Sequence, residues 1–195
     1  MTEEKSLEVR RQLFHMTLGS AIALAVWLLK PDYGNLILLP LLAAIAALLI
    51  TPKLAPNSMV SNHLLTRFER KKDIKRFPYR GAIFYGVGIV FPIVLLPVEL
   101  ACVVIVILSI GDAMSTLIGK FHGTHRIWDK SVEGTLAFVA FAFAANLMFL
   151  KLAGHTELAQ KALLLTALGA LIEVQGLVDD NLAVPMVLSI IARIV

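Results

Sequence analysis

The chain has 195 residues, is 58% hydrophobic and is charged at only 16% of positions, against about 25% in an average soluble domain. Its mean hydropathy is +0.80, more apolar surface than a soluble core of this size can hide. The formal net charge of +4 is bunched between apolar runs near twenty residues long, as a bilayer demands, because only fully hydrogen-bonded helices or closed barrels survive in lipid. The expected fold is all-α: a polytopic helical membrane protein forming one integral-membrane domain over residues 1–195, with no nucleic-acid partner.

Seven candidate spans follow in chain order: 11–29, 35–51, 81–96, 98–119, 133–152, 160–178 and 182–195. The third and last are short for a hydrocarbon core of about 30 Å at 1.5 Å per residue, so six full spans and a half-span is the alternative count. The first run contains Ala-x-Ala at Ala21 and Ala23. It is not read as a signal peptide, because Glu3, Glu4 and Glu8 dilute the basic flank and the apolar run continues to Leu29. The single cysteine, Cys102, lies inside an apolar run and reads as packing.

Alternating the spans sorts the polar segments onto two sides. One side receives Lys5, Arg10 and Arg11, the 53–80 loop with its eight Lys and Arg, and Lys120, Arg126 and Lys130; the other receives Lys30, Lys151, Lys161 and Arg193. By the positive-inside rule the first side is cytoplasmic. It also gathers Glu8, His15, His122, His125, Asp129, Glu133, Asp179 and Asp180. A channel or carrier would string polar groups along a midplane path open to both sides, so the asymmetry points instead to chemistry between a cytosolic metabolite and a membrane-embedded substrate.

At the N-terminus Glu8, Arg11 and His15 are spaced to share one helix face. They serve either as an interfacial anchor or, for Arg11 and His15, as donors to phosphate. The 57–77 stretch reads as an amphipathic helix on anionic headgroups, with Val60, Leu64, Phe68 and Ile74 on one broad side. Arg80, at the mouth of the third span, is within reach of a nucleotide phosphate.

The fourth span ends in Ser109-Ile110-Gly111-Asp112. A carboxylate buried in a hydrocarbon-embedded helix costs a few kcal/mol and normally faces a cavity and a partner. A divalent cation would relieve that cost, and Mg²⁺ prefers one or two carboxylates plus substrate phosphates, making Asp112 the first metal candidate; an ion pair with a neighbouring Arg or Lys is the alternative. The next stretch, Gly119-Lys120 through Arg126 to Lys130-Ser131-x-Glu133-Gly134-Thr135, suits a phosphate cradle: glycines let amides approach, Lys and Arg neutralise charge, and a helix starting near Ser131 adds its dipole. It is not a Walker A loop. His122 and His125 lack a third ligand and read as solvated loop residues. The sixth span carries Glu173 and leads into Asp179-Asp180-Asn181, which either caps the last helix through Asp180 or Asn181 or completes a magnesium site. If the helix persists, Glu173 and Asp180 share a face.

At these residues the chain resembles the CTP-dependent lipid kinases: dolichol or polyprenol kinases, phytol kinases and CTP-dependent diacylglycerol kinases. The likeness is carried by Glu8-x-Arg10-Arg11-x-x-Phe14-His15, by Gly111-Asp112-Ala113 through Gly119-Lys120 to Lys130-Ser131-x-Glu133-Gly134-Thr135, and by Glu173 with Asp179-Asp180-Asn181-Leu182 and Pro185. It implies phosphoryl transfer from CTP to a lipid alcohol, with Mg²⁺ or Mn²⁺, by a chain that corresponds to the shared catalytic core. On that reading Asp112, Asp179, Asp180 and Asn181 hold or orient the metal. Arg11, Arg80, Gly119, Lys120, Arg126, Lys130, Ser131, Glu133, Gly134 and Thr135 serve the nucleotide, and Asp112, Glu173 and His15 are the candidates for the base. Phosphatidate cytidylyltransferases look similar around Lys130-Ser131-x-Glu133-Gly134, but their C-terminal signature is replaced here by Asp179-Asp180-Asn181. A cytidylyltransferase and a non-enzymatic carrier are the two alternatives. The expected setting is a prokaryotic plasma membrane with the site facing the cytoplasm; the acceptor lipid and the oligomeric state, a homodimer included, are left open.

Overall fold

The computed structural model describes residues 3–54, 65, 74, 77–176 and 179–195. Among them the chain forms α1 (Glu3–Tyr33), a 3-10 turn at Gly34–Ile37, α2 (Leu38–Leu54), α3 (Arg80–Leu95) and α4 (Val98–Val106). A π-helical turn at Ile107–Gly111 joins α4 to α5 (Asp112–His122). A two-stranded hairpin, β1 (Arg126–Ile127) and β2 (Lys130–Ser131), precedes α6 (Val132–Ala153), α7 (Ala159–Gln175) and α8 (Asp180–Ile194). The amphipathic segment expected over 57–77 lies almost wholly outside the described residues.

Each predicted span coincides with a helix, within a few residues at most ends. Three helical runs, Lys5–Pro52, Val98–His122 and Val132–Ala153, are long and apolar enough to cross a membrane, and the first of these bends back on itself at the 3-10 turn. The molecule is a helical membrane protein. Its α4 is apolar on every side and packs as the central post: Ala101 through Ile105 are wholly buried. A helix with no polar stripe must be enclosed by other helices or by lipid. Here α1, α3, α6, α7 and α8 enclose it, while Leu24, Leu28, Leu39, Leu42, Leu136 and Met148 point outward, as expected of surfaces bathed in acyl chains.

α4 and α5 run on as one rod through the π turn; otherwise successive helices alternate in direction, and this gives the bundle two distinct ends. One carries Glu8, Arg80, Lys120, the hairpin and Asp180, tied together by ion pairs from Lys120 to Glu8, Arg80 to Asp179 and Lys130 to Asp180. The other carries Lys30, Leu96, Glu99, His155 and Arg193, with Lys30 Nζ donating to the Leu96 carbonyl and His155 facing Glu99.

One expectation is corrected. The sixth span does not continue through Asp180: α7 stops at Gln175, and Gly176 takes a left-handed φ of 58° that terminates the helix. The next helix begins anew, capped by the side chain of Asp179, which accepts from the Asn181 amide at 3.2 Å, rather than by Asp180 or Asn181. Glu173 and Asp180 still converge, but from two separate helices rather than a shared helix face.

Candidate functional site

At the polar end a cleft of about 460 Å³ opens between α1, α3, α5, the hairpin and the start of α8. It is built outward from a cluster of carboxylates. Asp112, Glu173 and Asp180 each offer an oxygen within 4.8 Å of the others, although they come from three helices and are separated by up to 68 positions in the chain. The π turn immediately before Asp112 adds a residue to the helix, and such bulges recur at functional sites.

Lys130 sits among these acids. Its Nζ donates to Glu173 Oε1 at 2.5 Å and to Asp180 Oδ2 at 2.7 Å. Burial alone would pull the ammonium below the ordinary lysine range, but the fields of Asp112, Glu173 and Asp180 outweigh it and the pKa is raised, so the charge persists throughout the physiological range. Glu173 is fully buried and also accepts from Ser115 Oγ at 2.9 Å. It does not line the cleft; it holds Lys130 and Ser115 from behind. Among the described residues Glu173 Oε2, Asp180 Oδ1 and Asn181 Oδ1 are buried without a hydrogen-bond partner. Such orphaned acceptors are costly, and hard oxygens of this kind, gathered with the Asp112 carboxylate at one end of the bundle, are the donor type that Mg²⁺ or Mn²⁺ takes.

The cations of the phosphate cradle ring the same cleft. Arg11, Arg80, Lys120, Arg126 and Lys130 all line it. Arg11 is held by Glu8 at 3.3 Å, and Lys120 pairs with Glu8 from across the site. Arg80 reaches Asp179 Oδ2 at 3.5 Å and lies over the Phe84 ring. It is aimed by a turn in which buried Tyr79 adopts a left-handed φ of 62°. The Arg126 side chain makes no hydrogen bond or ion pair with another described residue.

In the run Ser131-x-Glu133-Gly134-Thr135 only Ser131 lines the cleft; the other three build the cradle instead of facing into it. Ser131 Oγ accepts from the Gly134 amide at 3.1 Å and caps α6. A Cβ on Gly134 would lie 2.8 Å from the Ser115 carbonyl, so only glycine allows α6 to cross α5 this closely. Glu133 holds the approach to the hairpin, accepting from Thr124 Oγ1 and from the His125 amide, and Thr135 Oγ1 donates to the Ser131 carbonyl. Gly119 lines the cleft beside Ser131.

His15 lies beneath the cleft and does not line it. Its ring packs against Tyr85 with centroids 4.2 Å apart, and Nε2 stands 4.0 Å from Asp112 Oδ2. Six cleft residues were not singled out as site residues by sequence reasoning: Gln12, Gly81, Ser115, Thr116, Asp129 and Gly176. The helical spacing carried a signal for two of them, since Gln12 follows Glu8 by four and Ser115 follows Asp112 by three.

Comparison with known proteins bears on this arrangement. An uncharacterized protein of Methanocaldococcus jannaschii is 25% identical over 189 residues, 94% of this chain and 92% of that one. A phytol kinase of Synechocystis is 28% identical over 152 residues, 73% of this chain and 59% of the kinase. CTP-dependent diacylglycerol kinase 1 of Eremothecium gossypii is 29% identical over 137 residues, 67% of this chain and 42% of that protein; dolichol kinases match as well. The chain is thus similar, along much of its length, to several lipid kinases. It spans about 59% or less of the length of the kinases it matches. No family model matches the chain, and no solved structure matches it.

Proposed function

We propose that this protein is a lipid kinase that transfers the terminal phosphoryl group of CTP to the hydroxyl of a membrane lipid alcohol, of polyprenol, phytol or diacylglycerol type, at the cytosolic face. The observation that carries the reading is the meeting of Asp112, Glu173 and Asp180 beneath a cleft ringed by five Lys and Arg side chains. Phosphoryl transfer requires little covalent help from the protein; it needs the phosphates positioned and their charge neutralised. One of the similar proteins, from Eremothecium gossypii, is a CTP-dependent kinase, which supports CTP as the donor.

On this reading Arg11, Arg80, Lys120 and Arg126 hold the triphosphate, and the glycine-shaped turn between α5 and α6 brings backbone close to it. Asp112, Asp180 and Asn181, with Asp179 supporting, would hold Mg²⁺ or Mn²⁺, which supplies charge neutralisation between the phosphate oxygens. Lys130, fixed by Glu173, keeps the acids from repelling one another and presents a positive charge to the transferring group. The acceptor hydroxyl oxygen bonds to the terminal phosphorus as the bond to the bridging oxygen breaks, CDP leaves, and the hydroxyl proton passes to Asp112. Glu173 is committed to Lys130 and Ser115, and His15 stands behind Asp112, so Asp112 is the carboxylate best able to receive that proton.

An acceptor with a hydrocarbon chain fits the surroundings. A second, apolar groove of about 280 Å³ runs along α1 and α6 from Ile110, two residues before Asp112, towards Trp27 and Leu152. The test is the nucleotide product. Purified protein with Mg²⁺, CTP and a lipid alcohol should release CDP; pyrophosphate in its place would assign the chain to cytidylyl transfer, and no turnover would leave only a binding or carrier role.

A further inference from the structure

The hairpin that supplies Lys130 also carries a residue that the chemistry above does not use. Trp128 is the first of the two turn residues between Ile127 and Lys130, and its φ is 50°. Two-residue hairpin turns favour glycine, asparagine or aspartate at positive φ, and a bulky side chain there is an outlier. The residue is 72% exposed, and its ring packs on no other aromatic ring among the described residues. Backbone strain without packing in return is a pattern found at ligand-contacting sites. Trp128 stands outside the cleft lining, at its rim: Arg126, two positions before it, and Asp129, the next residue, both line the cleft.

We propose that the hairpin tip is the base-reading element of the nucleotide site, with Trp128 stacking on the pyrimidine ring and Asp129 accepting a hydrogen bond from the exocyclic amine of cytosine. This rests on the reading of the cleft as a nucleotide site. The chemistry is selective. An aromatic face stacks on any base, so Trp128 contributes affinity with little preference. A carboxylate accepts from the cytosine 4-amino group but faces the carbonyl oxygen that uracil carries at that position, and two acceptors repel. Asp129 therefore discriminates CTP from UTP. The triphosphate, held by Arg126 and the other cations, fixes the distance from the hairpin tip at which the base must lie. The competing role for an exposed tryptophan at this end of the bundle is anchorage in lipid headgroups, which the same experiment separates.

The chain contains two tryptophans, so Trp27→Phe leaves Trp128 as the one reporter. In that background CTP should quench the indole fluorescence, while inorganic tripolyphosphate, which has no base, should not. In the lipid phosphorylation assay Trp128→Ala should raise the KM for CTP about tenfold, from loss of one stacked base, with kcat little changed, and Trp128→Phe should recover most of the affinity. Trp128→Gly relieves the backbone, so its melting temperature should equal or exceed that of the parent while its KM for CTP rises as in the alanine variant; a merely structural role would lower the melting temperature and leave the KM unchanged. Asp129→Asn should narrow the preference for CTP over UTP. An unchanged KM for CTP in Trp128→Ala, or fluorescence that responds to anionic vesicles and not to CTP, would overturn the proposal while leaving the kinase reading intact. Absence of any lipid phosphorylation by the parent protein would remove the reading on which it rests.

Discussion

The two ends of the bundle use the same charged residue types for different purposes. At the end away from the cleft the charges finish helices: Lys30 and Arg193 donate to the carbonyls of Leu96 and Leu95 at the close of α3, and His155 Nδ1 lies 3.0 Å from Glu157 in the turn before α7. Cations belong at helix C-termini, where unpaired carbonyls and the dipole favour them. At the cleft end acids from three helices are pressed together around one lysine, and buried oxygens are left without partners. Local helix chemistry does not require that arrangement. Buried Asn146, along α6, is unpartnered as well, but only at the cleft end do unpartnered oxygens gather with a cluster of carboxylates, and that end is the one prepared for a ligand.

The comparison can be broken in graded ways. The largest effect belongs to Asp112→Asn, which removes a charge and the proton acceptor while keeping the shape; kcat for lipid phosphorylation should fall about 10²- to 10⁴-fold, and full activity would end the assignment. Next comes Lys130→Ala. Removing one partner of a buried ion pair costs about 3 kcal/mol or more, so the thermal midpoint should drop. Because the acids would then lack their cation, millimolar Mg²⁺ should raise the midpoint of this variant more than that of the parent. Equal shifts would argue that the metal and Lys130 do not share ligands. Arg80→Ala, which takes one charge-assisted contact from the triphosphate, should raise the KM for CTP about tenfold with kcat little changed. The smallest effect is expected at the opposite end, where His155→Ala should alter stability by about 0.5 kcal/mol or less and leave kcat and both KM values within twofold. A catalytic defect there would erase the distinction between the ends.

Much of the fold is legible in the chain because lipid imposes a simple rule: every span must be a helix, so apolar run lengths announce the segments almost directly. The polar end was legible too, since strict alternation forces Arg11, Arg80, Lys120, Lys130 and Asp179 to one side. Local capping rules account for Ser131 ahead of Glu133-Gly134. What they do not contain is the long-range pairing. Lys130 reaches Glu173 and Asp180 across 43 and 50 residues, and Lys120 meets Glu8 across 112; those distances are set by how α5, α6 and α8 cross. The persistence of a single helix face through Asp180 failed for a local reason, the left-handed Gly176. The hairpin was hidden because its turn has tryptophan where glycine or asparagine would have marked it.

The account turns on whether the cleft moves phosphate onto a lipid. Purified protein in detergent or bilayer with Mg²⁺ and CTP labelled at the terminal phosphate should be offered polyprenol, phytol, geranylgeraniol and diacylglycerol in turn, with the label followed into the organic phase. The account predicts a labelled lipid monophosphate with at least one acceptor, and its loss in Asp112→Asn. No labelled lipid with any acceptor, from CTP or from ATP, would contradict it.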